Sequence, residues 1–123
     1  MAEGCVAALP RAAMQLANAF WPGPLSLVLP KSGSIPDIVT AGGKTVAVRC
    51  PAHPVMRGVL AKCGFPFAAP SAHRPNCVSP PPAEHVVDQL GGRIPLVLDG
   101  GACDRGIEST VLDLTGDTPT LLR

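Results

Sequence analysis

Apolar positions along this chain of 123 residues switch repeatedly between a helical and an alternating period. Leu9, Ala13, Leu16, Ala17 and Phe20 recur three and four residues apart in an alanine-rich stretch, which predicts a helix over 10–20. That helix must stop at Trp21, because Pro22-Gly23-Pro24 cannot continue it. Residues 25–29 (Leu-Ser-Leu-Val-Leu) predict a short strand closed by Pro30, followed over 31–43 by a polar, mobile surface loop. Gly42-Gly43 turns the chain into a strand over 45–49, where β-branched and small residues alternate and Arg49 ends the run. Val55, Met56, Val59 and Leu60 have helical spacing over 54–62, and Gly64 stands where a left-handed residue closes a helix.

The apolar run 65–69 predicts a third strand. It opens into a turn carrying Ser71, His73 and Arg74, and then into the prolines 80–82. Ser79 can cap a helix that continues through Val86, Val87 and Leu90 to Gly91. A strand running out into a polar loop and back through a helix is how open α/β sheets make crevices at strand carboxyl ends. Residues 94–98 predict a strand whose Pro95 points to an edge or a bulge. The clearest strand lies over 107–114, Thr115-Gly116-Asp117 signals a turn, and a last strand begins over 119–123. Strands interleaved with three helices give the α/β class with a mixed sheet, in one domain over 1–123.

Composition narrows the function classes. Ten basic and nine acidic residues leave a net charge of +1, so no global field draws in nucleic acid or an anionic membrane. No tyrosine, three phenylalanines and one tryptophan argue against base stacking on aromatic platforms. Five dispersed cysteines without a Cys-x-x-Cys predict reduced thiols rather than disulfides or a zinc site. Neither a membrane-length apolar run nor a secretory leader is present, which predicts a soluble cytoplasmic protein.

Three groups bear chemistry. Arg49, at a strand's carboxyl end, can hold a carboxylate or phosphate with two parallel hydrogen bonds, or pair with one of the acids. Ser71 and His73 have the types of a nucleophile and base, but no third group nearby orients the imidazole. A hydroxyl that contacts ligand or closes a turn is the simpler assignment for Ser71. The stretch 100–110 brings glycines, Arg105 and the paired hydroxyls Ser109 and Thr110 into a loop suited to an anion, or into a plain turn before a strand. Asp99, Glu108 and Asp113 show no metal-ligand spacing, so no metal site is predicted.

Four phrases in order resemble the YrdC-like domain of threonylcarbamoyl-adenylate synthases. They are Phe20-Trp21-Pro22-Gly23-Pro24-Leu25, Val48-Arg49-Cys50-Pro51-Ala52-His53-Pro54, Ala69-Pro70-Ser71-Ala72-His73 with Ser79-Pro80, and Asp99-Gly100-Gly101 through Gly106-Ile107-Glu108-Ser109-Thr110-Val111. The resemblance implies a YrdC-like twisted open mixed sheet flanked by helices, with a positively lined cavity. It also implies that L-threonine, bicarbonate and ATP give threonylcarbamoyl-adenylate and pyrophosphate, towards a modified tRNA adenosine made with downstream tRNA-modifying proteins. Carried over, Arg49 holds the threonine carboxylate, Ser71 and Ser109 contact threonine and phosphates with Thr110 behind, and Arg123 faces the nucleotide phosphates. Mg²⁺ accompanies the ATP, and Ser71 with His73 takes the family's catalytic Ser-x-Asn position.

Two departures accompany the resemblance. His73 stands where the family has asparagine, and imidazole cannot donate and accept at one end as a carboxamide does. The family's upstream Lys-x-Arg is not in this sequence, which therefore corresponds to the C-terminal portion of the family domain. Weak or no adenylate synthesis is expected of this chain alone, which is either a fragment or a shortened form whose open sheet edges a homodimer would complete. The alternatives are a non-catalytic nucleotide-binding or weakly RNA-binding module, and a carbamoyltransferase-type domain that prefers carbamoyl phosphate.

Overall fold

The computed structural model describes residues 2–69, 92, 95–96, 98 and 109–123. The chain forms two compact units, Met1–Phe67 with Glu108–Arg123, and Ala68–Ile107. The first carries the fold described below.

Four strands order as β2-β1-β3-β4: β1 Leu25–Pro30, β2 Thr45–Val48, β3 Thr110–Asp113 and β4 Thr120–Leu121. β1 runs antiparallel to β2 and parallel to β3, and β3 runs antiparallel to β4. The sheet is mixed, as the alternation of strands and helices predicts. β1 is central because every second residue is a leucine. Leu25, Leu27 and Leu29 are buried on one face, while Ser26 and Val28 are half-buried on the other. The register sets Leu27 beside Val48 on one side and Leu112 on the other, so three strands contribute to one apolar row.

Helix α1 (Arg11–Phe20) packs against that row through Ala13, which is fully buried, and through Leu16. A methyl side chain at the contact lets the helix lie close to the sheet. Phe20, expected on the same apolar stripe, is 57% exposed. It occupies the helix's last position, where the chain is already turning away from the sheet. The Trp21 N–H closes the helix on the Ala17 carbonyl at 2.8 Å, and the Trp21–Pro22 peptide is cis.

The amino-terminal residues join the core without any periodic signal. Cys5 and Val6 are buried, and Val6 bridges Lys31 in antiparallel fashion. The Ser32 N–H donates to the Cys5 carbonyl at 3.0 Å. Residues 31–43 lie largely at the surface but are not structureless. Asp37–Thr40 forms a 3₁₀ turn, and the Lys31 ammonium donates to the Ile35 carbonyl at 3.0 Å and to the Asp37 carboxylate at 2.5 Å. That hydrogen bond, then the charge of Lys31, holds the Asp37 carboxyl below its usual range.

Helix α2 (Pro54–Cys63) starts and stops as its sequence predicts. Pro54 occupies the first turn, His53 Nδ1 accepts the Val55 N–H at 3.2 Å, and Gly64 takes φ 74° at the close. Its residues Met56, Val59 and Leu60 are half-buried, and none is fully buried.

Two expected strands differ. Residues 65–69 are not in a strand: Pro66 has no N–H to donate, and Phe65 and Phe67 are exposed and meet each other edge to face at 5.1 Å. Of the strand expected over 94–98, the described Pro95, Leu96 and Leu98 are exposed and not in a strand. The helix expected from Ser79 to Gly91 lies outside the described residues. Among the described residues, no helix is long and apolar enough to cross a membrane.

Candidate functional site

The mixed sheet collects the chemistry-bearing positions at one end. β2 and β4 finish there, and β1 and β3 begin there. Extending the β1–β2 register by two residues beyond the Leu27–Val48 pair sets Cys50 level with Leu25, which is paired with Thr110. Cys50, Leu25 and Thr110 therefore form one row across three strands, with Arg49 and Ser109 next to its outer members. Two strand spacings separate those members, roughly 10 Å.

Arg49 follows Val48, the last residue of β2. Strand alternation buries Val48 and turns Arg49 to solvent. Among the described residues the guanidinium makes no side-chain hydrogen bond, and its planar fork of donors suits a planar anion. Pairing with an acid, the alternative open from sequence, is not seen among the described residues. On the other flank, Ser109 is half-buried immediately before β3 and Thr110 is exposed.

Arg123 is brought beside Ser109 by the antiparallel β3–β4 pair. The Arg123 carbonyl accepts the Val111 N–H at 2.9 Å. Its guanidinium donates from Nη2 to Ser109 Oγ at 3.0 Å and from Nε to the Ser109 carbonyl at 3.4 Å. Arg123 thus fixes the rotamer of Ser109 and puts a positive charge beside its hydroxyl. A hydroxyl that accepts from a guanidinium keeps its own proton free to donate, as an anionic oxygen requires.

Between the flanks sits the turn that leaves α1. The buried Gly23 donates its N–H to the Cys50 carbonyl at 2.8 Å, and the Pro24 carbonyl accepts the Thr110 N–H at 2.9 Å. Trp21 Nε1 donates to the Leu25 carbonyl at 2.7 Å. From sequence, 21–24 reads as a helix stop and as part of the first phrase of the family resemblance, with no place in the site. The available signal was a glycine held between two prolines, a position that favours a close backbone approach.

Of the residues singled out from sequence, Arg49, Ser109, Thr110 and Arg123 share this end of the sheet, whereas Ser71, His73 and the loop 100–108 lie outside the described residues. The crevice expected where 65–69 opens into the Ser71 loop lies outside the described residues, and the described end of the sheet mixes strand directions. Here the amino ends of β1 and β3 meet the carboxyl ends of β2 and β4, because the antiparallel neighbours reverse direction. Among the described residues, no group of three or more His, Cys, Asp or Glu side chains could hold a metal ion.

Comparison with known proteins gives consistent matches. A family model for Sua5, YciO and YrdC, described as "Telomere recombination", matches residues 1–123. The chain is 47% identical over 119 residues to threonylcarbamoyl-AMP synthase of Schizosaccharomyces pombe, covering 94% of this chain and 29% of that protein. It is 48% identical over 115 residues to the Pyrococcus abyssi protein of the same name, covering 94% and 34%. The chain therefore spans about a third of the length of these curated relatives. Among solved structures, P. abyssi Sua5 complexed with L-threonine superposes with a TM-score of 0.95 at 46% identity, over 99% of this chain and 36% of that one. E. coli YciO superposes with a TM-score of 0.83 at 26% identity, over 94% and 56%.

Proposed function

This chain belongs to the Sua5/YciO/YrdC family, and from that premise we propose that it carries threonine and nucleotide subsites of a threonylcarbamoyl-AMP synthase. The observation behind the proposal is the meeting of Arg49 and the Arg123–Ser109 pair at one end of the sheet, in a chain whose threonine-bound relative has the same fold.

The reaction asks three things of a site. L-Threonine and bicarbonate form a carbamate on the amino-acid nitrogen with loss of water. A carbamate oxygen then attacks the α-phosphorus of ATP, the new O–P bond forms as the α–β phosphoanhydride breaks, and pyrophosphate leaves. The site must orient an amino-acid carboxylate, neutralise phosphate charge and keep water from the carbamate. Arg49 fits the first need with a planar fork of donors. Ser109, with its oxygen engaged by Arg123, offers its proton to a carbamate or phosphate oxygen, and Thr110 adds a second hydroxyl beside it. The charge of Arg123 lies where polyphosphate would pass.

Ser71 and His73 are proposed to complete the set, Ser71 on threonine and phosphate and His73 in the place of the family's asparagine. Mg²⁺ would enter with ATP, held mainly by phosphate oxygens, which suits an ion needing few protein ligands. The product would serve tRNA threonylcarbamoyladenosine synthesis in the cytoplasm, through downstream tRNA-modifying proteins.

Calorimetry with L-threonine, ATP and carbamoyl phosphate, together with a pyrophosphate-release assay, tests the proposal. Saturable binding of threonine and ATP, with weaker binding of carbamoyl phosphate, is the expected result. Preference for carbamoyl phosphate would assign the chain to carbamoyltransferase chemistry instead. Binding of ATP without any response to threonine would leave only a nucleotide module.

A further inference from the structure

We propose that the turn 21–24 is a spacer that sets the gap between Arg49 and Ser109, with Gly23 as its positioning residue. The proposal rests on the threonine and nucleotide subsites assigned above. Consecutive residues of this turn tie to both flanks: Gly23 N–H holds the Cys50 carbonyl at 2.8 Å, and the Pro24 carbonyl holds Thr110 N–H at 2.9 Å. Cys50 is bonded to Arg49, and Thr110 to Ser109. A shift at Gly23 is therefore passed through Cys50 to the guanidinium, whereas the hydroxyl side is held by the separate bond at Pro24.

Position 23 has no room for a side chain. A Cβ added there would stand 2.5 Å from the Phe20 carbonyl oxygen, a backbone atom at the end of α1. The helix cannot easily give way, because Ala13 anchors it with 0% exposure against β1. The turn must yield instead, and it yields away from α1, loosening the bond to Cys50. On the other flank the Arg123–Ser109 pair is built on β3 and β4, and Thr110 keeps its own bond to the Pro24 carbonyl. Damage at Gly23 should therefore fall mainly on the ligand group that Arg49 holds.

The test measures threonine and ATP affinities separately for the wild type, Gly23→Ala and Trp21→Phe. The tryptophan variant removes the indole donor to Leu25 and part of the ring packed against the core, but adds no atom to the turn, so it perturbs the turn less than a new Cβ at position 23. Gly33→Ala serves as a glycine control, since an added Cβ there meets nothing within 4 Å. Threonine affinity should fall on the order of 10- to 100-fold in Gly23→Ala and less in Trp21→Phe, with ATP affinity changed by under about threefold. Equal losses for both ligands, or wild-type threonine affinity in both variants, would overturn the proposal. If Gly23→Ala does not fold, Trp21→Phe decides by the same ratio. Amide hydrogen exchange supplies a readout independent of ligand: protection at position 23 should drop in Gly23→Ala and the Arg49 amide resonance should shift. Should the wild type bind no threonine, the functional assignment fails, and unchanged exchange and resonance in the variant would overturn the spacer itself.

Discussion

Replacing Arg49 by lysine keeps a positive charge at the end of β2 but removes the planar pair of donors. Replacing it by alanine removes both. The arginine is exposed and makes no side-chain hydrogen bond among the described residues, so folding should hardly notice either change. Surface substitutions of this kind stay within about 0.5 kcal/mol. The effect on ligand should be much larger. A hydrogen bond to a charged group contributes about 1.5–3 kcal/mol, and about 1.4 kcal/mol corresponds to a tenfold change in affinity. Lysine, retaining one such bond of two, should therefore weaken threonine binding roughly tenfold, and alanine about 100-fold. ATP affinity should move little, since the phosphates are assigned to the Arg123–Ser109 side. Titration calorimetry with each ligand, alongside thermal melts, measures all three quantities. Unchanged threonine binding in Arg49→Ala, or an equal loss of ATP binding, would show that Arg49 does not hold the amino-acid carboxylate.

Other perturbations test the fold that carries the site. Leu27 is fully buried at the centre of the apolar row, so Leu27→Ala should destabilise by about 2–5 kcal/mol in chemical denaturation, and a cost under about 1 kcal/mol would contradict the packing. Gly58 sits in the exposed middle of α2 with nothing within 4 Å of an added Cβ. Gly58→Ala should accordingly stabilise by about 0.5–1 kcal/mol, read as a rise of a few degrees in the melting midpoint. The Asp113 carboxylate accepts from the Thr115 hydroxyl at 2.6 Å and the Thr115 N–H at 2.8 Å, and these bonds hold its pKa below the ordinary carboxylate value. Its contribution to stability is thus present above about pH 4 and lost as pH falls through the lowered folded value. A carboxyl titration by NMR should find the Asp113 midpoint below about 3.9, and the stability gap to Asp113→Asn should close on acidification; a midpoint at or above that value would count against the turn geometry.

Periodicity made most of the described frame legible. The leucines of β1, the three- and four-residue spacing in α1, and the proline start and glycine stop of α2 each had one local solution, and tertiary packing kept it. Where the sequence misled, a non-local cause is visible. Phe65 and Phe67 look like one face of a strand, but Pro66 between them lacks a donor and the rings find each other. Cys5 and Val6 enter the core through a single bridge to Lys31, too short to leave a period. Phe20 continues the α1 stripe by spacing alone, yet the helix ends under it. At the site, residue types pointed to Arg49, Ser109 and Thr110 one by one, and the family resemblance pointed to Arg123. Their meeting at one end follows from strand direction and register, which no local pattern encodes. The contribution of Gly23 was hidden for the same reason: its partner, Cys50, is distant in sequence.

The far rim of the sheet offers a practical opening. β1 stops at Pro30, β2 starts at Thr45, β3 stops at Asp113 and β4 starts at Thr120, so the connections 31–44 and 114–119 both lie a strand's length from Arg49 and Ser109. Ala41 and Gly42 already adopt left-handed backbone at φ 52° and 80° and are exposed. A fluorophore, an epitope or a surface-immobilisation handle grafted there would leave both arginines untouched, giving a labelled protein whose ligand responses can be followed directly.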